Sequence, residues 1–171
     1  EEASRRALGE AGDRVEEMVE GLQSLITELR PTALDQLGIG AAIEALAARV
    51  RDRSGLAVRT TLVLGACDDG GQGRFDPDVE ATVYRLVQEA LTNVVRHAGA
   101  TRAHVGVEAR DGALVVSIED DGRGLDPERE SRGFGLVGMR ERVELADGEL
   151  RLGPGSEGGT RIWASLPDGT A

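Results

Sequence analysis

The 171-residue sequence is poor in aromatic side chains, in cysteine and in net positive charge. Aromatics make up only 2% of it, so its core must be built from the Leu, Val, Ile and Ala that dominate the 40% apolar content. A single cysteine, Cys67, excludes an internal disulfide framework and a cysteine-based zinc cluster. With no base or ligand cluster around it, Cys67 reads as a small inert residue. Two histidines, His97 and His104, are too few and too far apart in role for a histidine-ligated metal centre. The formal net charge of −11 opposes binding to nucleic acid or anionic membrane by bare electrostatics. A small anion site is still allowed, because backbone amides can hold phosphates inside an acidic protein. The chain has neither a signal peptide nor a run of about 18 apolar residues, so a soluble, cytoplasmic piece is expected. Its opening at Glu1-Glu2, directly into helical sequence, reads as a segment of a longer protein.

Val15, Met18, Leu22, Leu25 and Leu29 recur at 3-4-3-4 spacing, the pattern of a coiled-coil or bundle seam. About two heptads are marginal alone in water, so this helix is expected to need an outside partner. Arg30-Pro31 should end it, which separates residues 1–31 from a second unit, 32–171. There a helix is expected from Ile39 to Arg51, burying Ile43, Leu46, Ala47 and Val50. Leu56 to Leu64 alternates as a strand, with Leu56, Val58, Thr60, Leu62 and Leu64 on one face. Residues 67–74, rich in Gly and Asp, read as a loop. Asp76 and Pro77 start a helix that should run to Ala98, where Gly99 stops it. Thr101 to Ala109 and Ala113 to Glu119 are strands joined across Asp111-Gly112, a strong hairpin signal. Leu125 to Arg132 reads as a mobile loop, and Leu136 to Ala146 as a short helix. Strands at Glu149 to Leu152 and Thr160 to Leu166 close the chain. The fold class is α+β: a two-layer α/β sandwich, helices on one face of a mixed, mostly antiparallel sheet.

Successive helical residues advance about 100°. Val79, Val83, Leu86, Ala90 and Val94 then form one buried stripe. Asn93 falls about 40° to one side of it, with Glu89 and Arg96 further round on that side, at a core edge where a cleft could open. His97 falls on the stripe itself, as a packed or capping residue, and His104 is expected to face solvent. Leu114, Val116 and Ile118 share a strand face. That parity puts Asp120 toward the helices and Asp121 on the other face, where Asp121→Asn should leave ligand binding nearly untouched. A carboxylate aimed at an apolar layer is costly unless it meets a donor. The donor could be the exocyclic amine of an adenine, or the backbone amides of a turn from Gly122 onward. Gly122, Gly124, Gly133, Gly135 and Gly138 allow close backbone approach, and the last three adjoin a helix start, where phosphates bind. Neither a P-loop nor a dinucleotide-binding fingerprint is present.

In this order, Glu89-Ala90-Leu91-Thr92-Asn93-Val94-Val95-Arg96-His97-Ala98 resembles the N box of the ATP-binding domain of sensor histidine kinases. Asp120-Asp121-Gly122-Arg123-Gly124 resembles its first glycine box, Gly133-Phe134-Gly135-Leu136-Val137-Gly138 its second, and Gly158-Gly159-Thr160 its closing box. Leu29-Arg30-Pro31, followed by Leu34-Asp35-Gln36-Leu37-Gly38, looks like the nitrate-sensor-type subfamily. The resemblance spans roughly residues 40 to 167 and implies the Bergerat-type fold shared with gyrase B, Hsp90-type chaperones and MutL-type proteins. It implies ATP with Mg²⁺, with Asn93 as metal ligand, Glu89 as a polar helper beside it, and Asp120 on the adenine amine. Gly122 and Gly124 would shape the base pocket, and Gly133, Gly135, Leu136 and Gly138 would line the triphosphate. A lid would form from 125–134, with Arg96 and His97 near the phosphates and Thr160 near Asp120. The implied partners are a dimerisation domain carrying the phosphoacceptor histidine, in a homodimeric full-length kinase, and a response regulator. Residues 1–31 look like the second helix of that dimerisation hairpin. Neither histidine here has the acceptor's context, so no autophosphorylation is expected. A serine kinase or an ATPase of the same fold would share the pocket; a non-catalytic interaction module would not use it.

Overall fold

Apolar stripes on three helices and one apolar face of a five-stranded sheet bury each other, and this shared layer is the core. The computed structural model describes residues 32–65, 75–124 and 134–169, all within one unit, Thr32–Ala171. The expectations for the Val15–Leu29 seam, for Cys67, for Gly133 and for the mobile loop and lid of 125–133 fall outside the described residues.

Helix α1 spans Thr32–Ser54 and is broken at Gly38, whose φ of 78° and ψ of 176° no helix contains. The segment after Gly38 is the helix expected from Ile39, with Ile43, Leu46 and Ala47 buried and Val50 packed against the core. The turn before it was not anticipated. It is anchored by Leu34, which is fully buried, while its neighbour Leu37 stays exposed. Strand β1 covers Ala57–Val63, and Leu56, Val58 and Leu64 face inward as the alternation required.

Asp76 caps helix α2, Pro77–Asn93, by accepting from Asp78 N at 2.8 Å, with Pro77 in the first turn. Val79, Val83, Leu86, Ala90 and Val94 are buried as expected; Glu80, also buried, accepts from Phe75 N. The helix does not run unchanged to Ala98. Val94–Ala98 form a π-helical turn, ended by Gly99 in the left-handed region at φ 61°. A π turn is wider and advances less per residue, so the 100° phase fails over this stretch. His97 is therefore exposed, which corrects its assignment to the apolar stripe.

Strands β2 (Arg102–Arg110) and β3 (Ala113–Asp120) pair antiparallel. Asp111 at φ 54° and Gly112 at φ 73° make the tight turn between them. After helix α3 (Phe134–Leu145) come β4 (Glu149–Pro154) and β5 (Thr160–Pro167). The sheet order is β1-β2-β3-β5-β4, with β1 parallel to β2 and every other pair antiparallel. This is the expected two-layer α+β sandwich with a mixed, mostly antiparallel sheet. Leu114, Val116, Ile118 and Asp120 are all buried, so the strand register inferred from alternation holds to the last residue.

Leu114→Ala should cost about 2–5 kcal/mol, as for other buried leucines. Leu37→Ala, on an exposed side chain, should stay within about 0.5 kcal/mol. Urea midpoints at unchanged m-value check both.

Candidate functional site

Two groups of predicted residues converge, one at each end of the last turns of α2. At the first, Glu89 and Asn93 lie one helical turn apart, on the same face. The start of α3 comes directly against them. A Cβ added at Gly135 would overlap Glu89 Oε1 and lie 3.7 Å from Asn93 Nδ2. A side chain at position 135 would thus displace the Glu89 carboxylate from its place beside α3. Leu136 packs against the core. Half-buried Gly138 leaves room for the Arg142 guanidinium, 3.4 Å from where its Cβ would sit. Arg96 and His97 stand exposed on the π turn.

The second group surrounds Asp120, which is 5% exposed at the end of β3. Its Oδ1 accepts from Gly122 N at 2.8 Å, and its Oδ2 from Thr160 N at 3.2 Å. The turn reading of this carboxylate is therefore realised, with a second amide from β5 added. A carboxylate has about four lone-pair sites, so two amides leave acceptor capacity on both oxygens. The backbone closes in from three sides. A Cβ at Gly122 would sit 2.5 Å from Ala98 O, and one at Gly124 3.2 Å from Gly159 O. At Gly159, held at φ 60°, a Cβ would overlap Asp120 O and lie 2.6 Å from its Oδ1. Asn93 and Ala98 are five residues apart, so at most about 8 Å of helix axis separates the two groups.

Asp121 does face the other way, but it is not idle. Its Oδ1 accepts from Thr101 N and Arg102 N, both at 2.8 Å. Its Oδ2 accepts from Thr101 Oγ1 at 2.7 Å and Arg102 Nε at 3.1 Å. The Arg102 amide above all, with the Thr101 hydroxyl next, holds this carboxyl far below the usual carboxylate range. Arg102 also donates from Nη2 to Glu157 Oε2 at 2.8 Å, and Glu119 accepts from the backbone and hydroxyl of Ser156. Sequence reasoning assigned none of these residues a part. The available signal was a carboxylate with outward parity beside the Thr101-Arg102 strand start. Gly159 was noted only within a motif, and its φ is what marks it.

Among the described residues, no three His, Cys, Asp or Glu side chains converge as a ready-made metal site. A concavity of about 590 Å³ lies away from both groups, between the start of α2 and the end of α3, with Asp76, Asp78, Arg85, Arg142 and Leu145 in its lining. None of the predicted site residues lines it, so the predicted chemistry and this hollow do not coincide. Close backbone approach and a buried acceptor define the candidate site better than volume does.

Residues 78–170 match the family described as histidine kinase-, DNA gyrase B-, and HSP90-like ATPase. Similar proteins include a signal transduction histidine-protein kinase/phosphatase, DegS, from Brevibacillus brevis, 36% identical over 148 residues. That match covers 85% of this chain but 36% of the relative, so the chain spans about a third of that protein's length. Among solved structures, the ATP binding domain of PrrB from Mycobacterium tuberculosis is 25% identical with a TM-score of 0.51, over 74% of this chain and 93% of that one. The histidine kinase domain of an Erythrobacter litoralis blue-light activated histidine kinase shares the fold, at 23% identity and TM-score 0.60, over 76% of this chain and 61% of that one. The chain belongs to the histidine kinase-, gyrase B- and HSP90-like ATPase family, and within it carries an ATP-binding domain of the bacterial sensor histidine kinase type. No described helix is long and apolar enough to cross a membrane.

Gly159→Ala should lower the melting temperature by several degrees, since a left-handed backbone and an overlap with Asp120 act together; differential scanning calorimetry checks it. A pH series tests Asp121. Its folded pKa lies below the ordinary 3.8, so its stabilisation is complete above that value and is lost as pH falls through the folded value. The gap in urea midpoint between wild type and Asp121→Ala should stay constant from neutral pH to about pH 4 and narrow below it.

Proposed function

We propose that this domain binds ATP together with Mg²⁺. Within a longer, homodimeric sensor kinase of the nitrate-sensor type, it would present the γ-phosphoryl group to a histidine on a dimerisation domain. A response regulator would then receive that phosphoryl group. The observation that carries the reading is Asp120: a buried carboxylate with spare acceptor capacity, in a glycine-lined enclosure, on the side of the sheet that faces the helices. The exocyclic amine of adenine is a neutral donor that such an acceptor selects, and guanine presents an oxygen in its place.

The other residues take roles around that anchor. Gly122 and Gly124 shape the base pocket, and Thr160 helps to hold Asp120. Gly135, Leu136 and Gly138, in the first turns of α3, line the triphosphate together with Gly133, and helix-start amides favour phosphate. Asn93 ligates Mg²⁺ and Glu89 assists it. This donor set fits the ion, because Mg²⁺ commonly takes one or two protein oxygens and completes its shell with water and phosphate. When bound, Mg²⁺ supplies charge neutralisation on the phosphates. Arg96 and His97, exposed on the π turn that follows Asn93, would lie near the same phosphates. Neither His97 nor His104 serves as the acceptor; His104 instead lies 2.9 Å from Thr61 Oγ1 on the outer sheet face.

Asp120→Asn should remove most of the preference for ATP over GTP, a loss of about 1.5–3 kcal/mol for a charged acceptor, or about one to two decades in Kd. Calorimetric titration of both nucleotides with both proteins measures it. Equal ATP-to-GTP ratios in wild type and D120N would discard the assignment. Asn93→Ala should weaken binding by about 1–3 kcal/mol with Mg²⁺ present and by much less with chelator. With labelled ATP the chain alone should acquire no acid-labile phosphate.

A further inference from the structure

Asp120 owes its position to atoms on the opposite face of the sheet. Both donors that hold its carboxylate, Gly122 N in the turn after β3 and Thr160 N at the start of β5, follow residues that are tied together on that outer face. Asp121 gathers Thr101 N, Thr101 Oγ1, Arg102 N and Arg102 Nε onto one carboxylate, between 2.7 and 3.1 Å. It thereby stitches the end of β3 to the chain that leaves α2. Arg102 continues the tie to Glu157 at 2.8 Å, in the loop leading to Thr160. The backbone adds Arg123 N to Ala98 O at 3.0 Å and a longer bond from Asp121 N to Arg102 O at 3.3 Å.

We propose that Asp121 is a positioning residue for base selection: through Thr101 and Arg102 it sets where Asp120 and Gly122 stand against the end of α2. The inference rests on the ATP reading given above and adds to it a residue outside the pocket. Three features support it. Asp120 and Asp121 are joined by one planar peptide with their Cα atoms about 3.8 Å apart, so anchoring Asp121 restricts where the backbone of Asp120 can stand. The fit on the inner side has no slack, since a single Cβ at Gly122 would come 2.5 Å from Ala98 O. Finally, Asp121 faces away from the enclosure, so its four bonds go to the α2–β2 junction and contribute nothing directly to a bound base. A staple of that kind acts on geometry alone.

The test separates positioning from plain stability by reading a ratio. ATP and GTP dissociation constants are measured by calorimetry for wild type, D120N, Asp121→Ala, Asp121→Asn and Arg102→Gln, each with a thermal melt. Asp121→Ala removes all four acceptor contacts and should lower the ATP-to-GTP preference by about fivefold or more. Asp121→Asn keeps the oxygen that takes both backbone amides, so it should restore the preference to within about twofold of wild type. Arg102→Gln, on a largely exposed side chain, should fall between them and remains informative if Asp121→Ala does not fold. A purely structural staple would shift the melting temperatures and leave the ratio at its wild-type value in D121A and R102Q, and that outcome overturns the proposal. If D120N also keeps the wild-type ratio, the adenine assignment itself fails. A ratio lost in D120N but kept in D121A and R102Q removes the positioning role alone.

Discussion

A carboxylate inside an apolar layer must find donors, and in this protein that requirement shapes everything around the end of β3. Asp120 is nearly inaccessible to water, so Gly122 and Thr160 must bring their amides to it. Bringing the turn after β3 and the start of β5 to one side chain crowds the backbone around it. Hence Gly122 rests on Ala98, and Gly159 lies in a left-handed conformation against the Asp120 backbone. The cost of burying the charge is offset by amides and by whatever donor a ligand adds.

Helix α2 links this region to the rest of the site. One face supplies the core, through Val83, Leu86, Val87, Ala90 and Leu91. The edge of that face carries Glu89 and Asn93 against the start of α3. Its π-helical end places the Ala98 carbonyl where it receives Arg123 N and limits Gly122. A single helix thus reaches both groups of residues, Glu89 and Asn93 against the start of α3 and the Ala98 carbonyl against the turn that follows Asp120. π turns recur where helices meet functional sites. Here the turn also carries Arg96 and His97 out of the core into solvent.

The outer face of the sheet belongs to the same system. Asp121, Arg102, Glu157, Glu119 and Ser156 form a polar clasp over the loops whose inner faces enclose Asp120. Isolated surface ion pairs contribute little, but a carboxylate taking two backbone amides, a hydroxyl and a guanidinium is a stronger anchor. The family to which the chain belongs uses this fold for ATP, and the similar proteins include histidine kinases from several bacteria. The clasp is a feature of this chain's own residues.

Periodicity was sufficient wherever one repeat held over several residues. The β3 alternation, Leu114-Val116-Ile118-Asp120, specified which of two adjacent aspartates is buried, because a period of two leaves no intermediate choice. The Asp76-Pro77 start, the Asp111-Gly112 turn and the buried stripe of α2 were legible for similar reasons: each is decided by local stereochemistry. Three features were not. The extra turn of α1 exists because Leu34 finds a place in the core across a broken Gly38. His97 left the apolar stripe because the helix widened into a π turn, which no fixed angular step anticipates. Asp121 acquired its role from Thr101 and Arg102, about 20 residues away in sequence and brought alongside by strand pairing. Local geometry is written in neighbouring residues, whereas the partner of a polar group at a strand end is chosen by which other chain ends arrive there.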